Sequence, residues 1–145
     1  MTALIILFFG TFWESSMDIL GKEKDYKLSI WKRIAQYFDS KNKTRLGEQF
    51  WNDSKSWTNK WKNNNPALGE KFWGSSRYFS LIMDGWHLMK FLWLMHLFLV
   101  IILYEPITKY VVIDILILYI VFGMGHELFY NLLLIKKERK EYAKK

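Results

Sequence analysis

The sequence predicts an all-α integral membrane bundle of three transmembrane helices with an additional amphipathic helix at the interface. Three observations carry that prediction. Hydrophobic residues make up 51% of the 145 positions and aromatic residues 19%, and the apolar residues are gathered into runs rather than dispersed. Two of those runs are long enough to cross a hydrocarbon core of roughly 30 Å. The net charge of +7 concentrates outside them, in residues 22–77 and 136–145. By length the chain forms one membrane domain, residues 1–145. It contains no cysteine, which excludes disulfides and thiolate metal sites.

The first span is expected at about residues 3–20. No basic residue precedes ALIILFFGTFW, and Glu14, Ser15, Ser16 and Asp18 do not make a small-residue cleavage site, so the run does not match a signal peptide. Read as a helix, it places Thr11, Glu14, Ser15 and Asp18 on one face at i, i+3, i+4 and i+7. A span with one polar stripe results, an interfacial segment being the competing reading.

The loop 21–79 opens with DYKLSIWKRIAQYFD. Leu28, Trp31, Ile34, Ala35 and Phe38 line one helical face and Lys27, Lys32, Arg33 and Gln36 another, so this helix should lie on the membrane surface or pack under the bundle. Beyond it, Asn63-Asn64-Asn65-Pro66 and Gly69 supply turn chemistry without a period. That stretch is expected to be irregular, anchored by Trp51, Trp57, Trp61 and Trp73.

Residues 80–104 and 110–135 form the second and third spans. Only Glu105-Pro106-Ile107-Thr108-Lys109 separates them, a tight hairpin with Pro106 enforcing the turn. Between Gly21 and Ser76 twelve Lys/Arg stand against six Asp/Glu, and the tail 136–145 is again basic. The positive-inside rule then places the loop and the C-terminus in the cytoplasm and the N-terminus outside the cell membrane.

Ionisable residues within the spans are costly and normally face the bundle interior, pair, or line a polar pocket. At about 1.5 Å per residue, Glu14, Asp18, His87 and His126 lie roughly 20, 26, 25 and 24 Å from the outer ends of their spans. Glu14, Asp18, Asp84, His87, His126 and Glu127 are therefore expected in one layer near the cytoplasmic boundary. Glu14/Asp18 are spaced i, i+4 and Asp84/His87 i, i+3. Tyr119, Gly123, His126 and Tyr130 share a face of the third span, with Glu127 and Asn131 beside it. Carboxylates with imidazoles suit zinc, manganese or iron. The pair His126-Glu127 lacks the second histidine of a zincin helix, since Tyr130 stands in its place. A structural role as interhelical glue competes with metal binding. His96, half a turn away from His87, is expected in packing, and Asp114 outside the cluster.

In SKSWTNKWK, Trp57 and Trp61 alternate with Lys55, Lys60 and Lys62. Such a mixture can stack on nucleic acid, but beside a membrane it is better matched to anionic lipid headgroups. No P-loop, dinucleotide fingerprint or serine-hydrolase motif is present.

The elements S-W-T-N-K-W at 56–61 and D-G-W-H at 84–87 resemble small, uncharacterised membrane proteins of bacteria and their phages, which share an S-W-x-N-K-aromatic loop followed by a D-x-W-H helix. The resemblance covers the middle of the chain and implies no particular reaction.

The leading expectation is a metal-dependent hydrolase or transferase acting on a lipid or phosphate-containing substrate at the cytoplasmic face. Glu14, Asp18, Asp84, His87 and His126 would hold the divalent metal (zinc, manganese or iron). Asp84 and Glu127 would be catalytic, Glu127 as base, and Asn59, Lys60, Ser75, Arg77 and Lys90 would contact substrate. The expected partners are membrane lipids with anionic headgroups, and not nucleic acid. The alternatives are a homo-oligomeric, holin-like pore or a proton or ion conductor, and a membrane adaptor.

Overall fold

The computed structural model describes residues 1–41 and 44–135; the basic tail 136–145 lies outside them. All regular structure among the described residues is helical. Three helices are long and apolar enough to cross a membrane: α1 (Thr2–Leu20), α6 (Gly85–Leu103) and α7 (Val111–Glu127), the last continued by a π-helical segment, Leu128–Leu134. Between α1 and α6 lie α2 (Glu23–Leu28), α3 (Ile30–Ser40), α4 (Glu48–Trp51) and α5 (Asp53–Ser56), then a series of single 3₁₀ turns. The expected irregular stretch is thus chain folded into short turns.

The first apolar run, the most ambiguous in sequence, forms the central helix. Both α6 and α7 pack against α1, and 44% of its apolar window is buried, against 11% in each of the others. Small residues permit this. Gly10 meets Trp93 and the Cβ of His96 on α6, while Gly125 of α7 lies against Thr11 and the Phe8 carbonyl. Close backbone approach through small residues is how helices associate where lipid removes the hydrophobic drive. Thr11 and Ser16 hydroxyls donate back to the carbonyls of Phe8 (2.6 Å) and Phe12 (2.7 Å), so these two satisfy themselves within their own helix.

The larger part of the core lies at the Gly21 end of the bundle, where α2, α3 and α4 fold beneath the long helices. It joins Ile19, Leu20, Tyr26, Trp31, Ala35, Trp51 and Met89 to Phe129 and Leu134. The amphipathic face expected around residues 28–38 is found here: Trp31 and Ala35 are buried, with Leu28 and Ile34 packed beside them. Trp31 stacks on Trp51 with ring centres 4.6 Å apart, an arrangement worth about 1 kcal/mol beyond its buried area. Of the four tryptophans expected to anchor the loop, Trp51 alone is buried; Trp57 is exposed and Trp73 is 79% exposed. A Ser29–Ile135 bridge and the Tyr130 hydroxyl, donating to Asp25 at 2.5 Å, tie the α2–α3 junction to the end of the third long helix.

α6 begins at Gly85, five residues after the apolar run starts, because Asp84 is its N-cap. The Asp84 carboxylate accepts from the His87 backbone N–H at 2.8 Å. At the other end, residues 104–110 turn around Asp114. This buried side chain accepts from the Tyr104 hydroxyl (2.6 Å), the Ile107 N–H (2.9 Å) and the Thr108 N–H (2.9 Å). A carboxylate within an apolar helix is thereby converted into the clasp of the hairpin.

Candidate functional site

Five of the six ionisable residues expected in one layer form two groups at the same end of the bundle, and Glu127 belongs to neither. The first lies between α1 and α7. Glu14 and Asp18, one turn apart, point toward His126, whose Nε2 is 3.2 Å from Glu14 Oε2 and 4.0 Å from Asp18 Oδ2. One ligand atom from each of the three lies within 4.8 Å of the others, and all three side chains are half-buried. Two features orient them. The imidazole is sandwiched between Phe122 and Tyr130, nearly parallel to both rings, and the Ser15 hydroxyl donates to the His126 carbonyl at 3.4 Å. Glu14 Oε2 is buried yet makes no hydrogen bond; it faces His126 at contact distance without donor alignment. Lys22 closes the rim, 3.3 Å from Asp18 Oδ2 and over the Tyr130 ring.

Helical packing explains the grouping. Leu118, Val121, Phe122, Gly125 and Phe129 form the stripe of the third long helix that faces α1 or the core, and His126 stands at its edge. Tyr119 and Gly123, expected on the His126 face, point outward. The π-helical segment then turns Tyr130 inward. Glu127 lies on the exposed face.

The second group forms where the 56–61 loop meets the start of α6. Asp84 is almost fully buried and its Oδ1 is 2.7 Å from His87 Nδ1, while its Oδ2 is 3.4 Å from Lys60 Nζ. Lys60 Nζ is also 3.4 Å from His87 Nε2. An acid, an imidazole and an ammonium therefore share one junction. Asp53 stands close enough to feel it. Burial first, and then the negative charge of Asp84, push the Asp53 carboxyl above its ordinary range, against the opposing pull of His87 and Lys60.

This junction gathers the segments 56–61 and 84–87. Asn59 donates to the Met83 carbonyl at 2.9 Å and to the Gln49 carbonyl at 2.6 Å, and buried Ser75 donates to the Lys60 carbonyl at 2.7 Å. The loop is thus pinned over Asp84. The hydrogen bonds of Asn59 and Ser75 go to protein backbone, so these two side chains position Lys60. Arg77 is exposed, and Lys90 lies over the Trp86 ring at 5.1 Å. His96 packs against Trp13 and Gly10, with Nδ1 2.9 Å from the Leu92 carbonyl oxygen.

Lys22 and Asp53 belong to these groups and were not singled out in the sequence. Lys22 carries a local signal, four residues after Asp18; Asp53 carries none, because its neighbours come from α6 and the loop. Among the described residues, Glu14, Asp18 and His126 are the only set of three or more acidic and histidine side chains with cation-binding spacing.

The fold and these groups define an all-α chain with three helices suited to a membrane and a Glu/Asp/His cluster at one end of the bundle. No protein-family model, curated protein or solved structure matches the chain.

Proposed function

We propose that the chain is a metal-dependent membrane enzyme that hydrolyses or transfers a phosphate-containing or lipid group at the cytoplasmic face. The observation that carries this reading is the convergence of Glu14, Asp18 and His126 ligand atoms from two helices at a half-buried rim. Three protein ligands and an accessible side match the composition of catalytic, rather than closed structural, metal sites. Hard carboxylates with one imidazole suit zinc, manganese or iron(II). The buried, unbonded Glu14 Oε2 supports it further, since a cation between Glu14 and His126 would satisfy that oxygen. A divalent ion here supplies Lewis acidity and an activated water.

The chain's own residues do the rest. Phe122 and Tyr130 hold the His126 ring, and Lys22 presents a positive charge to an anionic substrate at the rim. Asp84, His87 and Lys60 fix the loop beside the bundle. The excess of Lys/Arg in residues 21–76 supports an orientation with this end in the cytoplasm.

The test is metal retention by full-length protein purified in detergent. The protein is loaded in turn with zinc, manganese and iron(II), desalted and analysed by plasma mass spectrometry. Wild type and His87→Ala should keep near-stoichiometric metal, and His126→Ala should lose it while eluting as a folded species. Absence of retained metal in wild type, or full retention in His126→Ala, refutes the reading.

A further inference from the structure

Beside the Asp84–His87–Lys60 junction, the loop region forms a half-open cavity of about 590 Å³, within the range of small-ligand sites. Asn59 and Met83 line it and are the chain neighbours of Lys60 and Asp84. Its charge is one-sided. Arg45 and Lys71 contribute two cations, and none of its lining residues is acidic.

The nearest acids in sequence are engaged elsewhere, Asp84, beside Met83, by His87 and Lys60. Glu48, beside Gln49, is held by Lys32 and by Lys55 at 2.7 Å. Glu70, beside Lys71, accepts from the Gly74 and Ser76 N–H groups and the Ser76 hydroxyl. Two of the amides in the lining are also committed: Gln49 donates to Asn59, and Asn59 to two carbonyls. They give a fixed frame, and the two cations supply the attraction.

The lining also has apolar residues, Phe50, Phe72, Ile82 and Met83; Phe72 and Ile82 are the exposed ones. Those two belong to a run of exposed large hydrophobics, Leu68, Phe72, Trp73, Tyr78, Phe79 and Ile82, which leads directly into α6. Exposed aromatic residues at the mouth of a membrane-length helix sit at headgroup level. The cavity therefore combines uncompensated positive charge with a greasy side at the bilayer boundary.

We propose that this cavity binds the phosphate headgroup of an anionic membrane lipid, with Arg45 and Lys71 pairing the phosphate and Phe72 and Ile82 receiving the first part of the acyl region. The proposal deepens the functional reading above and rests on it for the idea of a phosphate-bearing substrate, but lipid binding itself needs no metal.

Native mass spectrometry of the full-length protein in neutral detergent tests it, with phosphatidylglycerol or phosphatidylcholine added. Wild type should retain phosphatidylglycerol in preference. Arg45→Gln/Lys71→Gln should bind it roughly tenfold to thirtyfold more weakly, from the contribution of two interfacial cations. Lys24→Gln/Lys109→Gln, which removes equal charge from exposed sites outside the cavity lining, should bind as wild type does. The charge-preserving Arg45→Lys/Lys71→Arg should restore retention, which separates lost charge from lost folding.

Equal weakening in both glutamine variants, or no preference for phosphatidylglycerol in wild type, overturns the site. Inorganic phosphate at millimolar concentration should compete poorly; if it displaces the lipid fully, the site is one for free phosphate and the lipid assignment falls. His126→Ala should retain phosphatidylglycerol even if it loses metal, so the two proposals fail independently.

Discussion

Gly125 lies against Thr11 so closely that a methyl group on it would sit 2.4 Å from the Thr11 Oγ1 and 3.0 Å from the Phe8 carbonyl oxygen. The Thr11 hydroxyl is fixed by its bond to that same carbonyl, and Thr11 is fully buried. Gly125→Ala should therefore force the third long helix away from α1 and cost on the order of 1–3 kcal/mol. Gly123, two residues earlier, faces open space. Its alanine variant should melt within about 0.5 kcal/mol of wild type, the usual range for an exposed substitution. Thermal unfolding of both variants in detergent compares them directly.

The clasp at Asp114 predicts a local effect. Asp114→Ala strands the Ile107 and Thr108 N–H groups and the Tyr104 hydroxyl. Hydrogen exchange at Ile107 and Thr108 should become markedly faster, while amides in the middle of α1 keep their protection. Unchanged exchange at both positions would show that the turn holds without the carboxylate.

Asp84 carries two separable duties, capping α6 and facing Lys60 and His87. Asparagine caps nearly as well as aspartate, whereas alanine does not. Asp84→Asn should therefore be more stable than Asp84→Ala by about 1 kcal/mol. Both variants lose the negative charge beside Lys60, so that difference reports the hydrogen bonds a neutral side chain keeps, the cap and the His87 ring contact. Chemical unfolding followed by tryptophan fluorescence measures it.

Glu48 links α4 to α3 through Lys32 and to α5 through Lys55. Those two hydrogen bonds hold its carboxyl below the ordinary carboxylate range. The folded value is lower than the unfolded one, so the stabilisation is complete above the unfolded value and is lost as pH falls through the folded value. Melting temperature should fall on acidification below about pH 4.5, the unperturbed glutamate value. Glu48→Gln should melt lower than wild type at neutral pH and lose part of that acid dependence. An identical pH profile in the variant would assign the acid sensitivity to other carboxylates.

The three long helices and the helix through Trp31 and Ala35 were legible because hydrophobic length and a 3.6-residue period are strong signals. The start of α6 was less so. Hydropathy runs unbroken through Ser80–Met83 and hides the cap at Asp84, although aspartate is itself a favoured N-cap residue. For the site, rise per residue gave the correct end of the bundle for Glu14, Asp18, His87 and His126. It carries no information about rotation around each axis, which is what sends Glu14 toward α7 and Asp84 toward the loop. The Lys60 contact spans 27 positions and depends on Asn59 and Ser75 anchoring the loop, a tertiary event that no local pattern records.

The central position of α1 sets an order of assembly. Ser15 and His126, which meet in the finished bundle, are 111 positions apart, and chains emerge from the ribosome N-terminal end first. α1 is therefore made long before either helix that covers it. During that interval Glu14 and Asp18 have no partner from the third helix, and their charge keeps the end of α1 at the water boundary. Closure of the bundle becomes a late step of biosynthesis, completed only when residue 126 has been translated and returned to its place beside the first helix.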